Sequence, residues 1–173
     1  MMRAKRGFTL LELLISISIL SIMMIFLYEG YAQLNKSNAV YKDELRKIQT
    51  QQIKKRVIFL DFSLALANSV KSMNQGKKED VVFFQSTNSI HKRYNPYLAY
   101  IVKESKLYRL ESSKEFKEYP LSRDTEAVVD YLGDVESFRV YKSSNENKEL
   151  YLIHIDFKDE EDVLFKVKVL NEK

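Results

Sequence analysis

Cysteine is absent from the 173-residue chain, and glycine is scarce, with only four residues. Without cysteine the chain has no disulfide, no thiolate zinc site, no thiol nucleophile and no lipoprotein anchor. An oxidising compartment stays open, because a domain with an adequate apolar core needs no disulfide there. The four glycines form no phosphate-binding glycine-rich loop. Cysteine chemistry and P-loop nucleotide binding are therefore excluded.

Net positive charge is small and unevenly placed. The formal charge is +4, from 28 Lys and Arg against 24 Asp and Glu. Three of the basic residues, Arg3, Lys5 and Arg6, precede a long apolar run. Removal of residues 1–7 would leave 25 basic residues against 24 acidic ones, a formal charge of +1. The basicity therefore belongs mainly to a targeting segment, and no nucleic-acid partner is expected.

A single apolar run at residues 8–28 follows these basic residues and contains one charge, Glu12. It has no proline or glycine, and as a helix its 21 residues would span about 32 Å, enough for a hydrocarbon core of roughly 30 Å. The positive-inside rule places residues 1–7 in the cytoplasm. The sequence thus predicts a single-pass protein of the bacterial inner membrane with a periplasmic C-terminal domain.

Two other kinds of single-span segment compete with this interpretation. A secretory signal peptide could be cut after the small residues at 30–32, but the apolar run is longer than usual and has a carboxylate near its start. An unprocessed signal anchor is the second kind. Neither explains Glu12, because a carboxylate inside a membrane helix costs about 2.5–3.5 kcal/mol on insertion scales and by default marks a functional residue with a partner.

Residues 5–12, KRGFTLLE, resemble the processing site of type IV prepilins and pseudopilins. A basic leader, Gly7 before the cut, Phe8 after it and Glu12 as the fifth residue of the product all match, and the apolar helix follows directly. The resemblance implies a leader peptide at residues 1–7, cleavage after Gly7 by a membrane-embedded prepilin peptidase, and methylation of the new N-terminus at Phe8. It also implies assembly with other pilins or pseudopilins.

Glu12 has a physical role in such an assembly. Cleavage leaves a cationic amine on Phe8 beside an apolar medium, and Glu12 of a neighbouring subunit can neutralise it. Two buried charges that pair are tolerated where either charge alone is costly. Ser16, Ser18 and Ser21 could allow close approach of helices. Proline is absent from the first 90 residues, so the helix break of many major pilins is missing and the filament type stays open.

The helical pattern continues beyond the membrane span. Residues 29–75 are predicted to be a periplasmic continuation of the helix, which ends near Ser72 with Gly76 as the stop. Its apolar stripe is expected to pack against a sheet. The stripe consists of Leu34, Tyr41, Leu45, Ile48, Ile53, Val57, Leu60, Leu64 and Ala67.

Residues 76–173 change to period-two patterning and are predicted to form an antiparallel sheet, which makes the fold class α+β and pilin-like. A short helix is expected over residues 125–131. Strands are predicted at residues 81–85, 97–103, 106–110, 135–141, 150–157 and 163–170. Candidates for burial are Val135, Phe138, Tyr151, Ile153, Phe165 and Val167.

Two stretches of this domain are similar to J-class minor pseudopilins of type II secretion. They are a hairpin containing residues 100–102 and 107–109, and a segment at residues 128–141. The resemblance implies a structural subunit at the tip of the pseudopilus with I- and K-class partners; the presence of Glu12 argues against the K class itself. The alternative is a minor pilin of a type IV pilus or DNA-uptake system. A protein of a different class would be a membrane-anchored periplasmic binding domain or enzyme.

The soluble domain shows no catalytic signature, and neither an enzyme activity nor a cofactor is predicted. Its two histidines are His91, in a loop, and His154, two residues before Asp156 in a strand. A cross-strand polar contact explains His154 better than a catalytic site, because no nucleophile motif accompanies it. Asp159, Glu160 and Asp162 are weak candidates for calcium, since their spacing fits no EF-hand.

Overall fold

A computed structural model describes residues 9–76, 78–122, 125–144, 149–158 and 160–169. Within these residues one helix precedes seven strands, and the predicted α+β fold, a long N-terminal helix followed by an antiparallel sheet, is confirmed. The chain divides into two compact units, of which the first ends at Thr50 and the second begins at Gln51. The elements are α1 (Leu10–Ser63), β1 (Lys71–Asn74), β2 (Asp80–Gln85), β3 (Tyr97–Lys103), β4 (Lys106–Ser112), β5 (Val128–Lys142), β6 (Leu150–Phe157) and β7 (Val163–Lys168).

The seven strands form one sheet in which each strand pairs antiparallel with the next along the chain. The long strand β5 pairs with β4 through its first half and with β6 through its second half. The backbone N–H of Phe138 also donates to the carbonyl of Lys78 at 2.9 Å, which brings the second half of β5 against the connection between β1 and β2. The sheet is therefore curled.

The last turns of α1, within the second unit, pack against the inner face of the sheet. Ile58 is buried there, together with Asp61 and Phe62 at three and four residues further along, as one face of a helix requires. The Phe62 ring lies 4.7 Å from that of Phe84 and 5.5 Å from that of Tyr100, measured between centroids. The buried face of these turns therefore contains a carboxylate, Asp61, beside the two apolar residues Ile58 and Phe62.

In the last turns of the helix, the buried face is offset by one residue from the predicted apolar stripe. Ile53 is 63% exposed, and Val57, Leu60, Leu64 and Ala67 are half-buried, whereas Ile58 and Phe62 are buried. The stripe residues of the first unit, Leu34, Tyr41, Leu45 and Ile48, are exposed. The error has a physical cause, because hydropathy assigns a charged residue to the solvent side and the buried face contains Asp61.

The predicted end of the helix is also wrong. α1 ends at Ser63 rather than near Ser72, and Gly76 lies in the connection between β1 and β2. Beyond the helix, the Leu66 N–H donates to Gln85 at 2.8 Å and the Thr87 N–H donates to Leu64 at 3.0 Å. After the helix, the backbone groups of residues 64 and 66 thus bond to residues on and after β2 instead of to the next helical turn. Residues 71–74, which were expected to be helical, form strand β1 beside β2.

The predicted strands are confirmed, although β5 begins seven residues earlier than expected, at Val128 rather than Val135. The hairpin of β3 and β4 forms, and β2, β6 and β7 lie where the period-two patterning placed them. The short helix expected at residues 125–131 is wrong, because Val129 and Tyr131 pair with Leu110 and Tyr108 of β4 and so begin β5. Leu170 lies outside the described residues. Of the six burial candidates, Phe165 is half-buried and the other five are buried.

Candidate functional site

The predicted processing site adjoins the start of α1. The leader charges Arg3, Lys5 and Arg6, the cleavage residue Gly7 and the methylation residue Phe8 lie outside the described residues, which begin at Thr9. Of the predicted assembly residues, the structure therefore places Glu12, in the first turn of α1.

Thr9 and Glu12 form a capping box at the start of the helix. The backbone N–H and the hydroxyl of Thr9 donate to Glu12 Oε2 at 3.0 and 2.9 Å. In return the Glu12 N–H donates to Thr9 Oγ1 at 3.3 Å. Such reciprocal bonds satisfy N–H groups that have no partner inside the helix, and a carboxylate is favoured beside the positive end of the helix dipole. The sequence analysis missed this second role of Glu12, although Thr-x-x-Glu before an apolar run is its signature.

The three serines of the apolar run are satisfied within their own helix. Ser16, Ser18 and Ser21 each donate a hydroxyl bond to the carbonyl four residues earlier, at 2.7, 2.9 and 2.8 Å. A hydroxyl satisfied in this way needs no partner on a neighbouring helix. By length and composition, α1 contains a segment that is apolar enough to cross a membrane.

A second group of polar residues lies inside the curled sheet, around the fully buried Arg109 of β4. Its guanidinium makes a bidentate pair with Asp61 of α1, with Nε to Oδ2 at 2.6 Å and Nη2 to Oδ1 at 3.3 Å. Nη1 donates to Glu111 Oε2 at 2.8 Å and to Asp130 Oδ2 at 3.1 Å. We call Asp61, Arg109, Glu111 and Asp130 the ionic cluster. One cation thus joins the helix, β4 and β5.

The sheet register explains how the ionic cluster assembles. Tyr100, Arg109 and Asp130 are directly opposite one another on β3, β4 and β5, so they form one row. The Tyr100 hydroxyl donates to Asp61 Oδ2 at 2.6 Å, and the Asn88 amide donates to Oδ1 at 2.6 Å. The Asp61 carboxylate therefore receives four hydrogen bonds, the condition under which a charge is tolerated in an interior.

Burial and charge compete in this cluster. Burial raises the pKa of Asp61, although the bonds and charge of Arg109 and the bonds from Tyr100 and Asn88 oppose the rise. Burial alone would lower the pKa of Arg109, but its hydrogen bond and ion pair with Asp61 outweigh that effect and raise it. Burial and the negative charge of Asp61 raise the pKa of Tyr100 well above its ordinary value. Arg109 and Tyr100 therefore both keep their protons at neutral pH.

The sequence analysis named Arg109 only as part of a resemblance and missed the cluster. A signal was present, because Arg109 and Glu111 are charges at alternate positions of β4, on the same face as the apolar Leu107, which should be buried. Asp61 is likewise a charge among the apolar residues at the end of the helix. The sequence does not say which opposite charge each would meet.

In the described part of the acidic turn before β7, two of the three calcium candidates each lie near a basic side chain. Asp159 lies outside the described residues. Glu160 Oε1 lies 3.5 Å from Lys54 Nζ, and Asp162 Oδ2 lies 3.6 Å from His154 Nε2. Within the described ranges, no group of three or more His, Cys, Asp or Glu residues could hold a metal ion. His91, the other histidine, has Nε2 at 3.0 Å from both carboxylate oxygens of Asp130.

Comparison with known proteins bears on the N-terminal segment. Residues 2–28 match the family described as the prokaryotic N-terminal methylation motif. No curated protein and no solved structure matches the chain. The motif implies processing by a prepilin peptidase and assembly with other pilins. The matched residues contain the predicted cleavage site and Glu12, and a long apolar helix followed by an antiparallel sheet accompanies them. Together these observations support a prepilin-like protein.

Proposed function

We propose that the chain is a structural, non-enzymatic minor pseudopilin of a type II secretion system, resembling the J class, that assembles at or near the tip of the pseudopilus. One observation carries the proposal: the methylation motif at residues 2–28 coincides with the apolar segment that bears the single charge Glu12. Residues 1–7 would be the cytoplasmic leader, and the sheet domain would lie in the periplasm. Its partners would be I- and K-class-like subunits.

The assembly step follows from the charge that cleavage creates. Prepilin peptidase would cut after Gly7 and leave a cationic amine on Phe8 at the membrane. Both capping bonds from Thr9 end on Glu12 Oε2, so we expect Oε1 to meet the amine of a neighbouring subunit. The capping box would hold the carboxylate at the helix start before that neighbour arrives. This preorganisation lowers the entropy lost when the pair forms.

Glu12→Gln separates the two roles of this side chain. Glutamine replaces glutamate in capping boxes, so the helix start is kept, but the charge is lost. We expect normal insertion and normal cleavage after Gly7, together with a loss of co-purification with partner pseudopilins. Breaking a buried pair costs about 3–5 kcal/mol in soluble proteins, and even about 1.4 kcal/mol would weaken docking tenfold.

Thr9→Ala is the matched control, because it removes the capping hydroxyl and keeps the carboxylate. It should cost about 0.5–2 kcal/mol of helix stability and should retain more assembly than Glu12→Gln. Intact mass of the membrane-bound chain reports processing, and affinity purification followed by mass spectrometry reports assembly. Normal assembly of Glu12→Gln contradicts the pairing, and uncleaved Glu12→Gln means that the peptidase reads this residue. Partners that belong to a surface pilus or a DNA-uptake system would replace the secretion assignment by its alternative.

A further inference from the structure

The connection between β2 and β3, residues 86–96, exposes large side chains that contribute little to folding. We call it the β2–β3 loop. Tyr94 is 93% exposed and Ile90 is 43% exposed, and Lys92 between them is also exposed. Burial of an aromatic side chain is among the largest favourable contributions to folding. Because Tyr94 is almost fully exposed, its ring contributes almost nothing of this kind to the stability of the chain.

Despite these exposed side chains, the loop is tied to the buried ionic cluster. The Ser89 hydroxyl donates to Glu111 Oε1 at 2.5 Å and accepts the Arg93 backbone N–H at 2.7 Å. Arg93 Nη1 donates to the Glu111 carbonyl at 3.1 Å. His91 lies against Asp130, and Asn88 donates to Asp61. The loop side chains that alternate with Ile90, Lys92 and Tyr94 are thus used as anchors.

The backbone of the loop is held in an uncommon conformation. Lys92 and Asn95, on either side of Tyr94, have φ of 59° and 43°, in the left-handed region that non-glycine residues seldom occupy. The Asn95 carbonyl accepts a bond from Gln85 Nε2 at 2.8 Å, and the Pro96 carbonyl accepts the Ser86 N–H at 3.1 Å. Strained residues persist where surrounding bonds determine them, and they concentrate at functional sites. The loop backbone on either side of Tyr94 is therefore held in a defined conformation.

We propose that the β2–β3 loop is a docking site for another protein subunit, with Tyr94 as its anchor. Tyrosine is enriched among the residues that dominate interface energies, and a prefixed loop loses little entropy on binding. The carboxylates nearest the loop, Glu111 and Asp130, are already engaged with Arg109, and the exposed Lys92 gives the loop surface a positive charge. The partner surface is an apolar pocket for the phenol ring with an acidic rim opposite Lys92.

This inference rests on the proposed function for the kind of partner, a fellow subunit that the same peptidase processes. A membrane surface is the weaker occupant, because Ile90 and Tyr94 together supply little area for insertion, and peripheral membrane binding depends on a larger apolar face. Fixed backbone geometry favours a shaped protein pocket over a fluid interface.

Site-specific photocrosslinking in the cell that produces the protein tests the inference. In one form of the full-length chain Tyr94 is replaced by p-benzoylphenylalanine, and in the control form Tyr131, 53% exposed on β5, is replaced in the same way. The Tyr94 position should give at least about tenfold more adduct with a protein that carries a processed, methylated N-terminus. Adducts confined to phospholipid, or protein adducts no more abundant than those at Tyr131, overturn the inference.

Tyr94→Ala supplies the second measurement. The exposed ring leaves no cavity, so cleavage after Gly7 and the urea midpoint should be unchanged, whereas co-purification of partner subunits should fall at least about tenfold, as for an interface anchor. Unchanged co-purification overturns the docking site. Different results would refute the proposed function: the chain would keep residues 1–7, or Glu12→Gln would assemble normally. A processed chain that depends on Glu12 and not on Tyr94 refutes the loop inference alone.

Discussion

Arg109 holds three carboxylates together, and its replacement by methionine should therefore be strongly destabilising. Arg109, Asp61 and Glu111 are all 0% exposed. The shortest bonds from the guanidinium are 2.6 Å to Asp61 and 2.8 Å to Glu111. Methionine fills much of the same volume, so the lost pairing outweighs any cavity. Removing one partner of a buried pair costs about 3–5 kcal/mol, because the remaining charge stays buried and unpaired. We expect Arg109→Met to lower the free energy of unfolding at pH 7 by this amount.

Urea unfolding of the detergent-solubilised chain, followed by tyrosine fluorescence, measures the loss. Lys114→Met is the matched control, since its ion pair with Glu126 is mostly exposed and should contribute less than about 1 kcal/mol. Adding Asp61→Asn to Arg109→Met removes one unpaired charge and should cost less than the two single losses combined. A loss below about 1 kcal/mol for Arg109→Met, or strict additivity in the double variant, would refute the reasoning.

The free energy of unfolding that is lost in Arg109→Met should also depend on pH. Burial raises the pKa of Asp61 above its ordinary value of 3.8. A carboxyl whose pKa is raised on folding contributes stability that is fully present below the unfolded pKa and is lost as pH rises through the folded pKa. Arg109 is the main opposing influence, so its removal raises the pKa of Asp61 further. The deficit of Arg109→Met should therefore be larger at pH 7 than near pH 4; a deficit that is independent of pH would contradict this account.

Processing and domain structure provide two further predictions. Intact mass of the membrane fraction should find the wild-type chain beginning at methylated Phe8, and Gly7→Val should retain residues 1–7, because a β-branched side chain crowds the peptidase site; a mature chain beginning at Gln33 would instead identify a signal peptide. A fragment of residues 32–173 should be a soluble monomer with mixed helix and strand by circular dichroism, because the second compact unit begins at Gln51 and contains the buried core; aggregation in every buffer would contradict the domain assignment.

Local patterns were enough to identify the N-terminal half of the helix and most of the strands. The apolar run with one charge, the basic residues before it and the motif around Gly7 are contiguous in sequence, and each acts through its near neighbours. The capping box was equally accessible, because Thr9 and Glu12 are three residues apart. The hairpin of β3 and β4 was predicted for the same reason, since its partners flank a short turn. Interactions of short range leave their signature in the order of residues.

Only the tertiary structure decided which helical face is buried, where the helix ends and what surrounds Arg109. Asp61 and Arg109 are 48 residues apart, and a charge read by itself is assigned to solvent. In the folded protein the pair is buried instead, on the same helical face as Ile58 and Phe62. Asn88 of the β2–β3 loop donates to Asp61 and Ser89 donates to Glu111, so the ionic cluster also anchors this loop. Likewise, residues 71–74 become a strand because β2 offers unpaired backbone groups beside them. Such outcomes depend on pairing between distant segments, which the periodicity of either segment does not encode.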